Sequence, residues 1–141
     1  MAVLAAAYNA PQIDPSGLRD FRVGNDIVYA GGLVSMLTTA GTGLILAGQD
    51  TDNHKCIGVA CETVDGTGGT EPRCAVWTEG SFWFNSVAVT TAMVGTIAYI
   101  SDDNHVVNTG TSNTIFVGTI EEVDTTNALA LVRLNPYSIT A

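Results

Sequence analysis

Basic side chains are scarce in this chain: Arg19, Arg22, Lys55, Arg73 and Arg133 face fourteen Asp and Glu residues, for a net charge of −9. Binding a polyanion needs clustered Lys and Arg, and these five are dispersed, so nucleic acid is excluded as the expected partner. Charge of either sign is also sparse, at 13% of residues, about half the usual fraction. A surface this neutral, rich in Thr, Gly and Ala, is expected to be partly covered by neighbouring subunits. The acidity serves either solubility or attraction to a basic patch on a partner.

Cysteine is rarer still. Three residues cannot all pair within one chain, and a reducing cytoplasm would leave them as thiols. His54, Cys56, Cys61 and Cys74 offer soft ligands for zinc. The CxxC knuckle is missing, however, and the spacing of Cys56 and Cys61 puts them on opposite faces of a regular strand. They are expected to be small buried hydrophobes, with no metal and no cofactor. Asp50-Thr51-Asp52-Asn53 opens like a calcium loop but lacks the Gly and the terminal Glu, and Asp102-Asp103-Asn104 is no better. The glycine-rich stretch from Asp65 to Thr70 has no following Lys and opens no helix. His54 and His105 lie beside turns, without a Gly-x-Ser-x-Gly elbow. No enzyme is expected.

A membrane span is missing too. Residues 27–49 run without a charge, but Gly31, Gly32, Gly41, Gly43 and Gly48 interrupt them, and two or three buried strands joined by turns are expected there. The start of the chain has no basic residues and only a short apolar stretch, unlike a secretion signal.

What the chain does contain is strand and turn. Apolar runs at 96–100, 105–108, 114–123 and 128–134 are separated by Ser101-Asp102-Asp103-Asn104, a Gly/Ser/Thr/Asn stretch and Asp124-Thr125-Thr126-Asn127, residues that favour tight turns. Such regular punctuation predicts an antiparallel all-β module. The same grammar occurs earlier. Val23-Gly24 leading to Tyr29 resembles Val94-Gly95 leading to Tyr99, and Ile57-Gly58 leading to Asp65 resembles Val117-Gly118 leading to Asp124. Each second member is followed by a turn and a strand, 73–77 or 128–134. Two copies are too few for a solenoid. One domain is therefore expected: a small antiparallel β-barrel or β-sandwich over 20–141, with two meander-like halves at about 20–84 and 85–135. An extended N-terminal arm, 1–19, is broken by Pro11, Pro15 and Gly17. At 141 residues such a domain can bury a real core.

Within 77–84, Trp77 lies on the strand before a Glu79-Gly80 turn, and Phe82, Trp83 and Phe84 follow. Alternation sends Phe82 and Phe84 to one face and Trp83 to the other, which makes Trp83 a candidate interface anchor. The arm carries Leu4, Tyr8 and Ile13 and is expected to lie along a partner. With Arg19, Arg22, Trp77 and Trp83, these are the residues expected to contact a capsid or a second subunit.

Several of these segments together carry a family resemblance. They are Val23-Gly24 leading to Val28-Tyr29, then Gly31-Gly32-Leu33-Val34 and Ile57-Gly58-Val59-Ala60. Glu79-Gly80-Ser81-Phe82-Trp83-Phe84, Gly95 leading to Tyr99, and Val117-Gly118 leading to Ala130-Leu131-Val132-Arg133-Leu134 complete the set. In this order, over roughly 20–135, the chain resembles the decoration, or cement, proteins of tailed-bacteriophage capsids. The resemblance implies a compact β-domain without catalysis. Such a domain sits on the outer surface of an icosahedral virion, commonly as a homotrimer, bound to the major capsid protein after assembly in the host cytoplasm. The arm and the loop at 65–72 depart from that pattern. A tail or fibre β-module and a carbohydrate-binding β-domain are the alternatives.

Overall fold

The computed structural model describes residues 17–38 and 42–135, and these are all β apart from a single 3₁₀ turn at Thr91–Met93. The first half holds β1 (Leu18–Val23), β2 (Ile27–Val28), β3 (Leu33–Leu37), β4 (Leu44–Ala47), β5 (His54–Ala60), β6 (Val64–Asp65) and β7 (Arg73–Trp77). The second holds β8 (Ser81–Asn85), β9 (Ile97–Ile100), β10 (Val106–Val107), β11 (Phe116–Asp124) and β12 (Leu129–Leu134). Strands β1-β4-β3-β5-β7 close into a barrel, β10-β9-β11-β12-β8 form a second five-stranded sheet, and β2 pairs with β6 as a flap.

The all-β barrel expectation holds, with three corrections. The division between halves falls at Thr78–Gly80 rather than at 84, because β8 pairs with β12 in the second sheet. The arm ends earlier than 19, since Leu18 and Arg19 already pair with Trp77 and Val76. Pairing is also not wholly antiparallel: β1 and β4 run parallel, with Arg22 opposite Leu44 and Val23 opposite Ile45. That parallel seam closes the first barrel, and a closed barrel leaves no free strand edge.

The two sheets are one module used twice. In chain order β1, β3, β4, β5 and β7 correspond to β8, β9, β10, β11 and β12, and both sheets have the same neighbour order. The second copy of the seam is reduced to one parallel bridge, Asn85 with His105. The register agrees residue by residue. The Gly31 amide donates to the Ala60 carbonyl and the Gly95 amide to that of Ile120, while the amides of Ala60 and Ile120 donate back to Gly32 and Thr96. The amides of Thr78 and Leu134 donate to the carbonyls of Gly17 and Gly80, 2.8 Å in each case. The β3–β5 ladder skips Ile57 just before Gly58, and the β9–β11 ladder skips Val117 just before Gly118. Each is a one-residue bulge of the kind that bends a strand around a barrel.

This settles which of the two sequence similarities is structural. Gly58 and Gly118 are equivalent, as are the Asx turns of Asp65 and Asp124, whose carboxylates accept the amides of Thr67 and Thr126. The Val23-Gly24 and Val94-Gly95 pair is not. The counterpart of Gly95 is Gly31, and Tyr99 stands where the first barrel has Ser35.

Two cores result. One fills the first barrel with Val23, Val28, Val34, Ile45, Ile57, Ala60, Cys74 and Val76. The other fills the second sheet with Phe84, Ala98, Ile100, Val117, Ile120 and Val132, and it also takes in Leu33, Cys56 and Val59 from the outer face of the first barrel. The second half is therefore capped by the first.

Candidate functional site

The expected contact residues do not form one site. Leu4, Tyr8 and Ile13 lie outside the described residues. Arg19 and Arg22 sit on β1, both exposed. The Arg19 guanidinium donates to the Leu18 carbonyl at 3.1 Å, and that of Arg22 to the Glu71 carboxylate at 3.1 Å. Trp77 is half-buried, because its side of β7 faces the second half and its indole packs against the shared core. Trp83 is 46% exposed, while Phe84 beside it is fully buried and Phe82 packs on the core. Strand alternation therefore reads correctly through this segment, and Trp83 is the available anchor.

On the outer face of the second sheet Trp83 belongs to one of two separate apolar pairs. Leu131 lies directly opposite it on β12. Tyr99 lies opposite Phe116, and Ile97, on the same strand as Tyr99, is 39% exposed. None of these five packs into the shared core. Polar groups lie between the two pairs: the Ser81 hydroxyl donates to Glu121, Arg133 lies 3.9 Å from the same carboxylate, and Glu122 stands opposite Leu131. Sequence reading named Trp83 but missed Leu131 opposite it and the Tyr99–Phe116 pair. Tyr99, Phe116 and Leu131 look like ordinary core positions until the register of four strands is known.

Two open clefts lie elsewhere on the described surface. One, of about 410 Å³, lies between Thr78–Gly80 and Thr119, Arg133 and Asn135. The other, about 330 Å³, lies between Tyr29–Gly32 and Asp103-Asn104. Their linings are mixed, with Glu79, Arg133 and Leu134 in the first and Tyr29 and Asp103 in the second.

The chemistry-bearing side chains are occupied structurally. Ser35 is completely buried, with its hydroxyl 3.0 Å from His54 Nδ1. His105 Nδ1 lies 2.9 Å from Asp102 Oδ1 in a separate pair near a turn. The Asp50 carboxylate accepts the amides of Ser112 and Asn113, each at 3.0 Å, and so ties the β4–β5 loop to the second half. Among the described residues no three His, Cys, Asp or Glu side chains gather as metal ligands. Cys56 is buried and its thiol is pushed up to about 12 by desolvation, against which the Gly58 amide works weakly. Cys74 is buried and raised for the same first reason, whereas Cys61 is exposed. Among the described residues no helix is long and apolar enough to cross a membrane.

No protein-family model, curated protein or solved structure matches this chain.

Proposed function

We propose that this chain is a structural virion protein that binds the outer surface of an icosahedral phage capsid, as a homotrimer, and stabilises contacts between capsomers. The observation that carries this reading is the exposed indole of Trp83, with Leu131 opposite it, on a β scaffold of very low charge. Half-exposed aromatics on a rigid sheet are what a binding surface needs, and the scarcity of charge lowers the cost of covering them. The order of strand and turn segments that resembles capsid decoration proteins supplies the partner: the major capsid protein, on the virion exterior. Binding alone performs the function, without cofactor, nucleic acid or membrane. Copies bound at many equivalent junctions act together, so a modest contact per copy raises the resistance of the whole shell.

Sedimentation of the purified chain, alone and with expanded capsids lacking it, tests this. Co-sedimentation as a trimer at saturating, stoichiometric occupancy is expected. A protein that ignores capsids overturns it. The half-exposed indole of Trp83 favours a second reading, a carbohydrate-binding domain with that ring as a sugar platform, and retention on a glycan array would select it.

A further inference from the structure

The internal repeat says what covers the outer face of the second sheet. In the first barrel part of the equivalent face is covered by the other half of the chain: Leu33, Cys56 and Val59 are 0%, 1% and 2% exposed, while Asp20 stays exposed. By register these positions correspond to Ile97, Phe116 and Thr119 of the second sheet, where they face outward. The covering element is one end of the second sheet. There the Asp103 carbonyl accepts the Leu33 amide at 2.7 Å, Asp102 bridges to Gln49, Ser112 and Asn113 donate to Asp50, and Ile100 and Ile115 enter the shared core.

We propose that the same contact recurs between molecules: the outer face of the second sheet is covered by the first barrel of a second copy, head to tail. The approaching end is the one equivalent to Ser112, Asn113 and Ile115, which in the first barrel is Asp52, Asn53 and Lys55. The charges agree with this docking. Lys55 is exposed and is the only lysine of the chain, and the face it meets is rimmed by exposed Glu121 and Glu122. Where the first barrel has Val59 and Trp77, the second sheet has Thr119 and Arg133. The contact between copies therefore buries less apolar area than the one inside the chain and is reversible. A head-to-tail contact is heterologous, so it closes into a ring or extends as a fibre. The proposal goes beyond the virion reading and needs no capsid.

The test is sedimentation of the full chain across the micromolar range. The unmodified chain assembles. Ile97→Glu places a charge at the position equivalent to Leu33 and Lys55→Glu reverses the charge of the approaching end, and each weakens association at least about tenfold. An equimolar mixture of the two variants restores a dimer, because one partner keeps an intact face and the other an intact end. That recovery also shows that both variants fold. Tyr29→Ala, an exposed aromatic outside both surfaces, assembles like the unmodified chain. A chain that stays monomeric throughout, or an Ile97→Glu variant that assembles normally, overturns the proposal. So does a Lys55→Glu variant that assembles normally, since the contact would then be face to face. Failure on capsids with assembly intact would sink the virion reading alone.

Discussion

Gly58 in the barrel and Gly118 in the second sheet stand at equivalent points, each just after a bulged residue, and neither position has room for a side chain. A Cβ on Gly58 would lie 2.0 Å from the Trp77 carbonyl oxygen, and one on Gly118 would lie 1.9 Å from that of Arg133. Backbone cannot yield as a flexible side chain does, so Gly118→Ala is expected to cost about 3 kcal/mol, the upper part of the overpacking range. Gly43→Ala meets nothing within 4 Å and carries only the strain of a positive φ of 71°, about 1 kcal/mol. Urea midpoints of the two variants should differ accordingly, and equal midpoints would contradict the close approach. The thiols give a second prediction at this scale. The thiolate is the reactive form, and burial suppresses it at Cys56 and Cys74. Iodoacetamide at mildly alkaline pH should therefore add one group to the native protein, at Cys61, and three in denaturant, read by mass spectrometry.

At the scale of elements, the β9–β10 turn and the β4–β5 loop hold the halves together. Asp50→Ala removes the acceptor of two amides on the 111–115 segment, and the expected loss is about 1–2 kcal/mol, with faster hydrogen exchange at Ser112 and Asn113. The adjoining turn gives opposite pH effects at neighbouring carboxylates. Burial raises Asp102, but the Asn104 amide and the His105 imidazole outweigh it and leave its pKa below 3.8. Its contribution is present above the unfolded value and is lost as the pH falls through the folded one. Asp103 is raised above 3.8, first by burial and then by the charge of Asp102, so ionising it destabilises the fold. Asp103→Asn is expected to raise the melting temperature at neutral pH, with the gain vanishing as the pH falls below the unfolded carboxylate value. A gain that persists in acid would point to packing instead of charge.

The strands of these elements were largely legible in the sequence. Arg73–Trp77 was read to the residue, and the turns at Asp102 and Asp124 were marked by short polar side chains. Local pattern also showed that Trp83 faces outward. It could not show that β1 pairs in parallel with β4, since Val23 and Ile45 meet across a long separation and nothing in either strand records it. For the same reason the sequence paired Val94-Gly95 with Val23-Gly24, on shared letters, when the hydrogen bonds equate Gly95 with Gly31. The outward placement of Tyr99, Phe116 and Leu131 stayed hidden because inward and outward apolar residues look alike within one strand.

For the molecule as a whole, the shared core decides how it unfolds. The second sheet closes over Leu33, Cys56 and Val59 of the first barrel, so neither half is sealed without the other. Separation of the halves would expose these side chains and the half-buried Trp77 together with the open side of the second sheet, at about 25 cal/mol per Å² of apolar surface. The two halves are thus expected to unfold in one cooperative step despite the repeat in their topology. The indoles make this measurable, since Trp77 lies at the junction and Trp83 on the outer face of the second sheet. Indole fluorescence of Trp77→Phe and Trp83→Phe variants follows one site at a time, while far-ultraviolet circular dichroism follows all strands. Within each variant the fluorescence and dichroism transitions should coincide in urea, the sign of two-state behaviour. Transitions at different midpoints would mean that the first barrel, closed by its parallel seam, survives alone. The contact inside the chain would then be no stronger than the one proposed between copies.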